Sequence, residues 1–258
     1  MASFLFSQSQ FKFETMDQDL ISVARDNLEK WQTQSHARIA ALLAFTAGYM
    51  DAIGITKWKT YVSFMSGNTI QLGIVVHHNI ADAMLVSSVA IGCFMAGIFI
   101  GTYLSAKLKF SNQALLFLIV SGILMVYMVI SLFFTVGPIV SIATVGLSMG
   151  MMNTIVTTVG KEQVNTDFIT GTLNHVARYV ALWSMSKDMK QRKLYKTNIL
   201  NLLLIYMGFI IGAYMAASMM PTLGKWTLFL PILLLISSAW LYNFYLLNAK
   251  NLTYVTEK

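Results

Sequence analysis

Charge is scarce in this sequence. Asp, Glu, Lys and Arg make up 11% of its 258 residues, against roughly 25% in soluble domains. Hydrophobic residues reach 56% and mean hydropathy is +0.63. A water-soluble fold of this length could not hide that much apolar surface, so lipid is the expected solvent. Cysteine occurs once, as Cys93 inside an apolar run. One thiol excludes an intramolecular disulfide and a cysteine metal cluster, and it reads as a small packing residue. Acidic residues are outnumbered, 11 to 18, for a net charge of +7. In a soluble protein that excess would point to nucleic acid. Here the cations sit between apolar runs, as in cytoplasmic loops, and no nucleic-acid partner is expected. Met1–Gln10 lacks the positive n-region and long apolar h-region of a secretory signal. Walker, H-E-x-x-H, G-x-S-x-G and dinucleotide motifs are also missing, so neither an enzyme nor a bound cofactor or metal is expected.

What the sequence has is long apolar runs. Six are close to the about 20 residues that cross a bilayer, near 37–55, 83–106, 113–134, 137–159, 198–219 and 226–247. Two weaker segments, 60–76 and 167–185, are interrupted by polar residues. Polar groups facing hydrocarbon are costly, so these two suit buried or re-entrant helices. The expected fold class is an all-α, polytopic transmembrane bundle. If the weak segments are re-entrant, fourteen cations fall inside and Lys57, Lys59 and Lys225 fall outside. If both segments span, Lys107, Lys109 and Lys161 change sides. The positive-inside rule prefers the first arrangement, but segment 60–76 is nearly long enough to cross, so six and eight spans both stay open. Each puts both termini in the cytoplasm. Ahead of the first run, Phe13, Met16, Leu20, Val23, Leu28 and Trp31 recur at roughly helical spacing. Residues 1–35 therefore read as an amphipathic or flexible cytoplasmic extension.

The chain also repeats itself. Ala47–Ile53 aligns with Met149–Ile155, Phe64–Thr69 with Phe168–Leu173, and Gly97–Tyr103 with Gly208–Tyr214, in the same order. This divides the membrane part into 36–135 and 136–247, followed by a short tail, 248–258. With three spans per half the repeat would be inverted, a plan common in transporters; with four it would be parallel.

Site candidates follow from the repeat. Asp51 is the one acid inside an apolar segment. It either serves a proton, cation or substrate site, or reaches interfacial water beside Lys57 and Lys59. Its repeat partner is Asn153. Ser66-Gly67-Asn68-Thr69 and Thr170-Gly171-Thr172 place glycine among groups able to satisfy a broken helix. Their helix starts would attract an anion or dipole, although small-residue packing explains them equally well. Arg178, with Asn174 and His175, reads either as a carboxylate subsite or as an arginine snorkelling to headgroups. Gly97-xxx-Gly101 and Gly208-xxx-Gly212 read as close helix contacts.

Ala47–Gly54, Phe64–Thr69 with Leu72-Gly73, Gly150–Asn153 and Phe168–Leu173 together resemble the YoaK family of bacterial multi-pass membrane proteins, over roughly residues 36–247. Thr154 and Asp167 depart from the family pattern. The resemblance implies a helical protein of the bacterial inner membrane and supplies no substrate. The leading functional expectation is a small-molecule or ion permease. The alternatives are a non-transporting membrane scaffold whose basic loop 187–196 binds a partner or anionic lipid, and a membrane enzyme using His175 and Asp51.

Overall fold

The computed structural model describes residues 33–107, 113–155, 157–159, 162–164 and 169–256. The expected amphipathic segment ahead of the first run lies almost wholly outside them. Among the described residues eight helices follow one another: α1 (Thr33–Trp58), α2 (Met65–His77), α3 (Ala81–Lys107), α4 (Gln113–Phe133), α5 (Pro138–Met152), α6 (Ile169–Met185), α7 (Met189–Leu223) and α8 (Phe229–Thr256). Between α5 and α6, β1 (Thr157–Val159) pairs antiparallel with β2 (Glu162–Val164). The protein is a helical membrane bundle, as its composition requires: in hydrocarbon a helix satisfies its own backbone.

Local chemistry sets the helix limits. Lys59 follows α1 with φ 58°, a left-handed stop. Gly137 precedes α5 in extended conformation and Pro138 occupies the first turn, where a missing N–H costs nothing. Asp188 caps α7 by accepting from the Lys190 N–H. Gly224, with φ 54°, ends α7, and a 3-10 turn, Gly224–Leu228, leads into α8. The apolar run expected over 137–159 stops being helical at Met152. Asn153 caps it, and the threonine- and valine-rich stretch beyond pairs as the hairpin, in keeping with its β-branched residues.

Helix lengths differ in a useful way. α1, α3, α4 and the continuous α7–α8 unit are long and apolar enough to cross a membrane. α2 has 13 residues, α5 has 15 and α6 has 17, so they reach roughly 20, 22 and 26 Å at about 1.5 Å per residue, short of a core about 30 Å thick; the run expected to span over 137–159 is among them. α2 turns back onto α3, and α6 onto α7.

One end of the bundle gathers the ends of α1, α4 and α7 with the starts of α5 and α8. There the Lys57 ammonium donates to the Gly224 carbonyl (3.4 Å) and Lys225 donates to the Leu132 carbonyl (3.0 Å). The Tyr127 hydroxyl donates to Ser141 Oγ (2.8 Å). Hence α1, α4 and α7 run one way, and α5 and α8 run the other. α3 runs with α5, because Ala90 meets Gly146, Phe94 meets Gly150 and Gly101 meets Thr154 in ascending order.

Two glycine seams hold the long helices together. On α1 and α7, a Cβ added at Gly48 would overlap the Phe209 carbonyl, and one at Gly212 would overlap the Phe45 carbonyl. On α5 and α3, a Cβ at Gly150 would overlap the Phe94 carbonyl, and one at Gly97 the Leu147 carbonyl. Small residues let backbones approach closely, which is how helices gain contact where lipid offers no hydrophobic drive. Tyr49, Phe117, Met149, Met151 and Met152 fill the buried core beside these seams.

Gly97→Val should destabilise the protein by at least ~2 kcal/mol through overpacking against backbone. Gly122→Val, where an added Cβ meets nothing within 4 Å, should change stability little. Thermal unfolding of both variants in one detergent checks the contrast; equal melting would contradict the seam.

Candidate functional site

The stretch between α1 and α2 is not helical, yet it folds back beside α1. Asp51 holds it there. Oδ1 accepts from the Val62 and Ser63 N–H groups, both at 2.8 Å, and Oδ2 accepts from the Ser63 hydroxyl at 2.6 Å. The Thr60 N–H also reaches the Gly54 carbonyl (3.4 Å). Asn68, fully buried, braces the other side: its Oδ1 accepts from the Thr60 hydroxyl and the Tyr61 N–H, both at 3.0 Å, and its Nδ2 donates to the Tyr61 carbonyl at 2.7 Å. Asp51 is 4% exposed. It is therefore a buried brace for the connection, and does not sit in interfacial water beside Lys57 and Lys59. Freed backbone groups inside a membrane need such partners, because water is not there to serve them.

Asp51 also lines a cavity of about 390 Å³. Gly48, Asp51, Ala52 and Ile55 of α1 form one wall, and Tyr61 and Phe64 of the braced connection another. Ile169 and Thr170, the first residues of α6, and Phe209 and Ala213 of α7 close it. Tyr61 and Phe64 meet edge to face with centroids 5.3 Å apart. The structure thus brings Asp51 of α1 together with Thr170 of α6, at a cavity lined by the connection into α2 and by the start of α6.

The remaining candidates are placed differently. Gly67 backs the lining, since a Cβ there would press on the Phe64 and Tyr61 rings. Asn68 acts through the connection, as described. Ser66 and Thr69 are exposed, and the Thr69 hydroxyl donates to the Met65 carbonyl one turn back (2.8 Å). Asn153 is half-buried at the end of α5, where its N–H donates to the Met149 carbonyl. The stretch that would be its counterpart of the braced connection, 165–168, lies outside the described residues. Gly171 is half-buried, Thr172 is buried, and His175 is half-buried on α6. Asn174 and Arg178 are exposed. Arg178 lies two turns beyond Thr170 and is not among the lining residues, so the anion subsite expected from Asn174, His175 and Arg178 does not coincide with this cavity. His175 and Asp51 do not share it either. Among the described residues, no three His, Cys, Asp or Glu side chains converge to hold a metal.

Sequence reading missed most of the lining. Tyr61 and Phe64 carry a signal, since both precede the Ser66–Thr69 motif by a few residues. Phe209 lies inside the Gly208-xxx-Gly212 stretch already noted. Ala213 lies in the same repeated stretch, Gly208–Tyr214, and Ile55 carries no signal, being an ordinary apolar residue of a long helix.

Comparison with known proteins places the chain in a family. The profile described as "Protein of unknown function (DUF1275)" matches residues 39–241. The UPF0700 transmembrane protein YoaK of Bacillus subtilis (strain 168) is 25% identical over 205 residues, covering 76% of this chain and 89% of that protein. No solved structure matches.

Removing the brace should unfold the connection. Asp51→Ala leaves three buried donors without their acceptor and should cost about 3 kcal/mol. Asp51→Asn keeps a carbonyl for the two N–H groups and should cost roughly half as much. Unfolding of the two variants beside the parent checks the order; an alanine variant as stable as the parent would contradict the brace.

Proposed function

The chain belongs to the DUF1275 family, and we propose that it is a small-molecule or ion permease of the bacterial inner membrane. The observation that carries this reading is the cavity where Asp51 and the braced connection of one half meet the start of α6 from the other.

The helix directions support six crossings, in which α5, with 15 residues, crosses with the bilayer locally thinned around it. The chain leaves α1 and completes α4 at the same end of the bundle, so α2 and α3 together account for one net crossing. α2 is then a half-helix that starts inside the membrane, and α6 is its counterpart from the opposite side. Both termini are cytoplasmic in this arrangement, with most of the cations on the same side.

The seams support duplication. The contact of Gly48 with Phe209 is mirrored by Gly150 with Phe94, and that of Phe45 with Gly212 by Leu147 with Gly97. Gly48 and Phe45 become Gly150 and Leu147, 102 residues on; Phe94 and Gly97 become Phe209 and Gly212, 115 residues on. α1 and α5 keep the spacing expected from sequence, while α3 and α7 correspond one helical turn away from the Gly97–Gly208 alignment. Each half lends its first helix to the third helix of the other. With three crossings per half the two are inverted, and rocking one half against the other would open the cavity alternately to each side. Asn198 and Asn201 on α7 each bury an amide atom that has no hydrogen-bond partner among the described residues. Groups of this kind are paired by water, and these lie on the cytoplasmic side of Phe209.

One observation favours the non-transporting scaffold: the Asp51 carboxylate is already occupied by three donors within its own connection. Liposome reconstitution decides. The parent protein should carry a solute or proton flux that Ala213→Phe abolishes by filling the cavity, while leaving the melting temperature near the parent value. Absence of flux across a broad panel of metabolites and ions, or flux indifferent to the filled cavity, would remove the permease reading.

A further inference from the structure

The α6–α7 turn carries a second surface, separate from the cavity. Within ten residues stand Lys187, Lys190, Arg192, Lys193 and Lys196, against one acid, Asp188. The Asp188 carboxylate is turned to the Lys190 N–H (2.9 Å), where it caps α7. All four lysines are exposed. Apolar side chains are interleaved with them: Met185 is 77% exposed and Met189 75%. The Arg192 guanidinium lies 5.0 Å over the Trp183 ring, which fixes a cation beside an aromatic at the end of α6.

α7 has 35 residues, roughly 52 Å of helix at about 1.5 Å per residue, and so extends beyond a core about 30 Å thick. The overhang carries the cations. Lys190, Arg192, Lys193 and Lys196 also occupy the N-terminal turns of a long helix, where the backbone dipole adds positive potential. Exposed methionines and a tryptophan suit the boundary of acyl chains and headgroups, and clustered cations suit the phosphates above it. A turn that served aqueous solubility alone would not expose Met185 and Met189 beside its lysines.

We propose that this turn is a docking surface for anionic phospholipid, with Lys187, Lys190, Lys193 and Lys196 on the phosphate groups and Trp183, Met185 and Met189 at the top of the acyl layer. The surface anchors the α6–α7 hairpin to the cytoplasmic leaflet. It does not depend on the permease reading.

The test uses the full chain in a neutral detergent, titrated with short-chain phosphatidylglycerol or phosphatidylcholine brominated on the acyl chains, with tryptophan quenching as the readout. Phosphatidylglycerol should bind at least tenfold more tightly. That preference should fade as salt rises from about 0.05 to 0.5 M, as the screening length contracts. Changing Lys187, Lys190, Lys193 and Lys196 together to Gln should remove the preference and leave melting in phosphatidylcholine unchanged. If the fourfold variant fails to fold, the salt series on the parent protein decides alone. Equal affinity for the two lipids, or a preference that survives high salt or the fourfold change, would overturn the proposal. Displacement of the lipid by millimolar inorganic phosphate would reassign the surface to a free anion, and displacement by polyglutamate would reassign it to an acidic protein.

Discussion

Everything about the candidate site depends on one carboxylate holding non-helical backbone against α1 inside the bundle. A helix needs no outside help in hydrocarbon, whereas a bend frees N–H and C=O groups that must find protein partners. Between α1 and α2, Asp51 and Asn68 supply those partners from opposite sides, taking the N–H groups of Tyr61, Val62 and Ser63 and the Tyr61 carbonyl. With the connection braced, α2 can begin next to α1 instead of beyond it, and Phe64 and Tyr61 can face a cavity. Without it, the same residues would have to continue as helix or retreat to water.

The cavity beside the brace depends on the long helices being close. Gly48 sits one turn before Asp51 on α1 and lies against the Phe209 backbone, and both Gly48 and Phe209 line the cavity. The seam therefore positions α7, and α7 carries the back wall of the site. The Gly150–Phe94 contact does the same for α5 and α3. Close packing in one place and a polar bend in another are parts of one arrangement: small residues bring the backbones together, and the bend opens space beside the contact.

Much of this was legible in the chain. Low charge and long apolar runs give the helical membrane class, and the eight expected segments correspond to the eight helices. The weak segments 60–76 and 167–185 form the short α2 and α6, but the strong run 137–159 forms a helix just as short, α5. Asp51, Asn68 and Thr170 stand out because polar side chains are rare in such runs. Their division of labour was not legible. Whether Asp51 faces water, a solute or the backbone depends on where residues 60–63 fold, and no periodicity records that. The stop at Met152 was hidden because an apolar residue after Asn153 reads equally well as helix or strand. The apolar lining was hidden for the same reason: Ile55 differs from other helix residues only by what it faces.

The meeting of the two short-helix starts is tested most directly by distance. In a Cys93→Ser background, Phe64→Cys and Thr170→Cys together should be bridged by a short bifunctional thiol reagent in membranes. The product should migrate as a cross-linked monomer, while each single variant takes up the reagent without bridging. If the pair reacts at both thiols and never bridges, even in the folded protein, the two breaks do not share a cavity and the central claim fails.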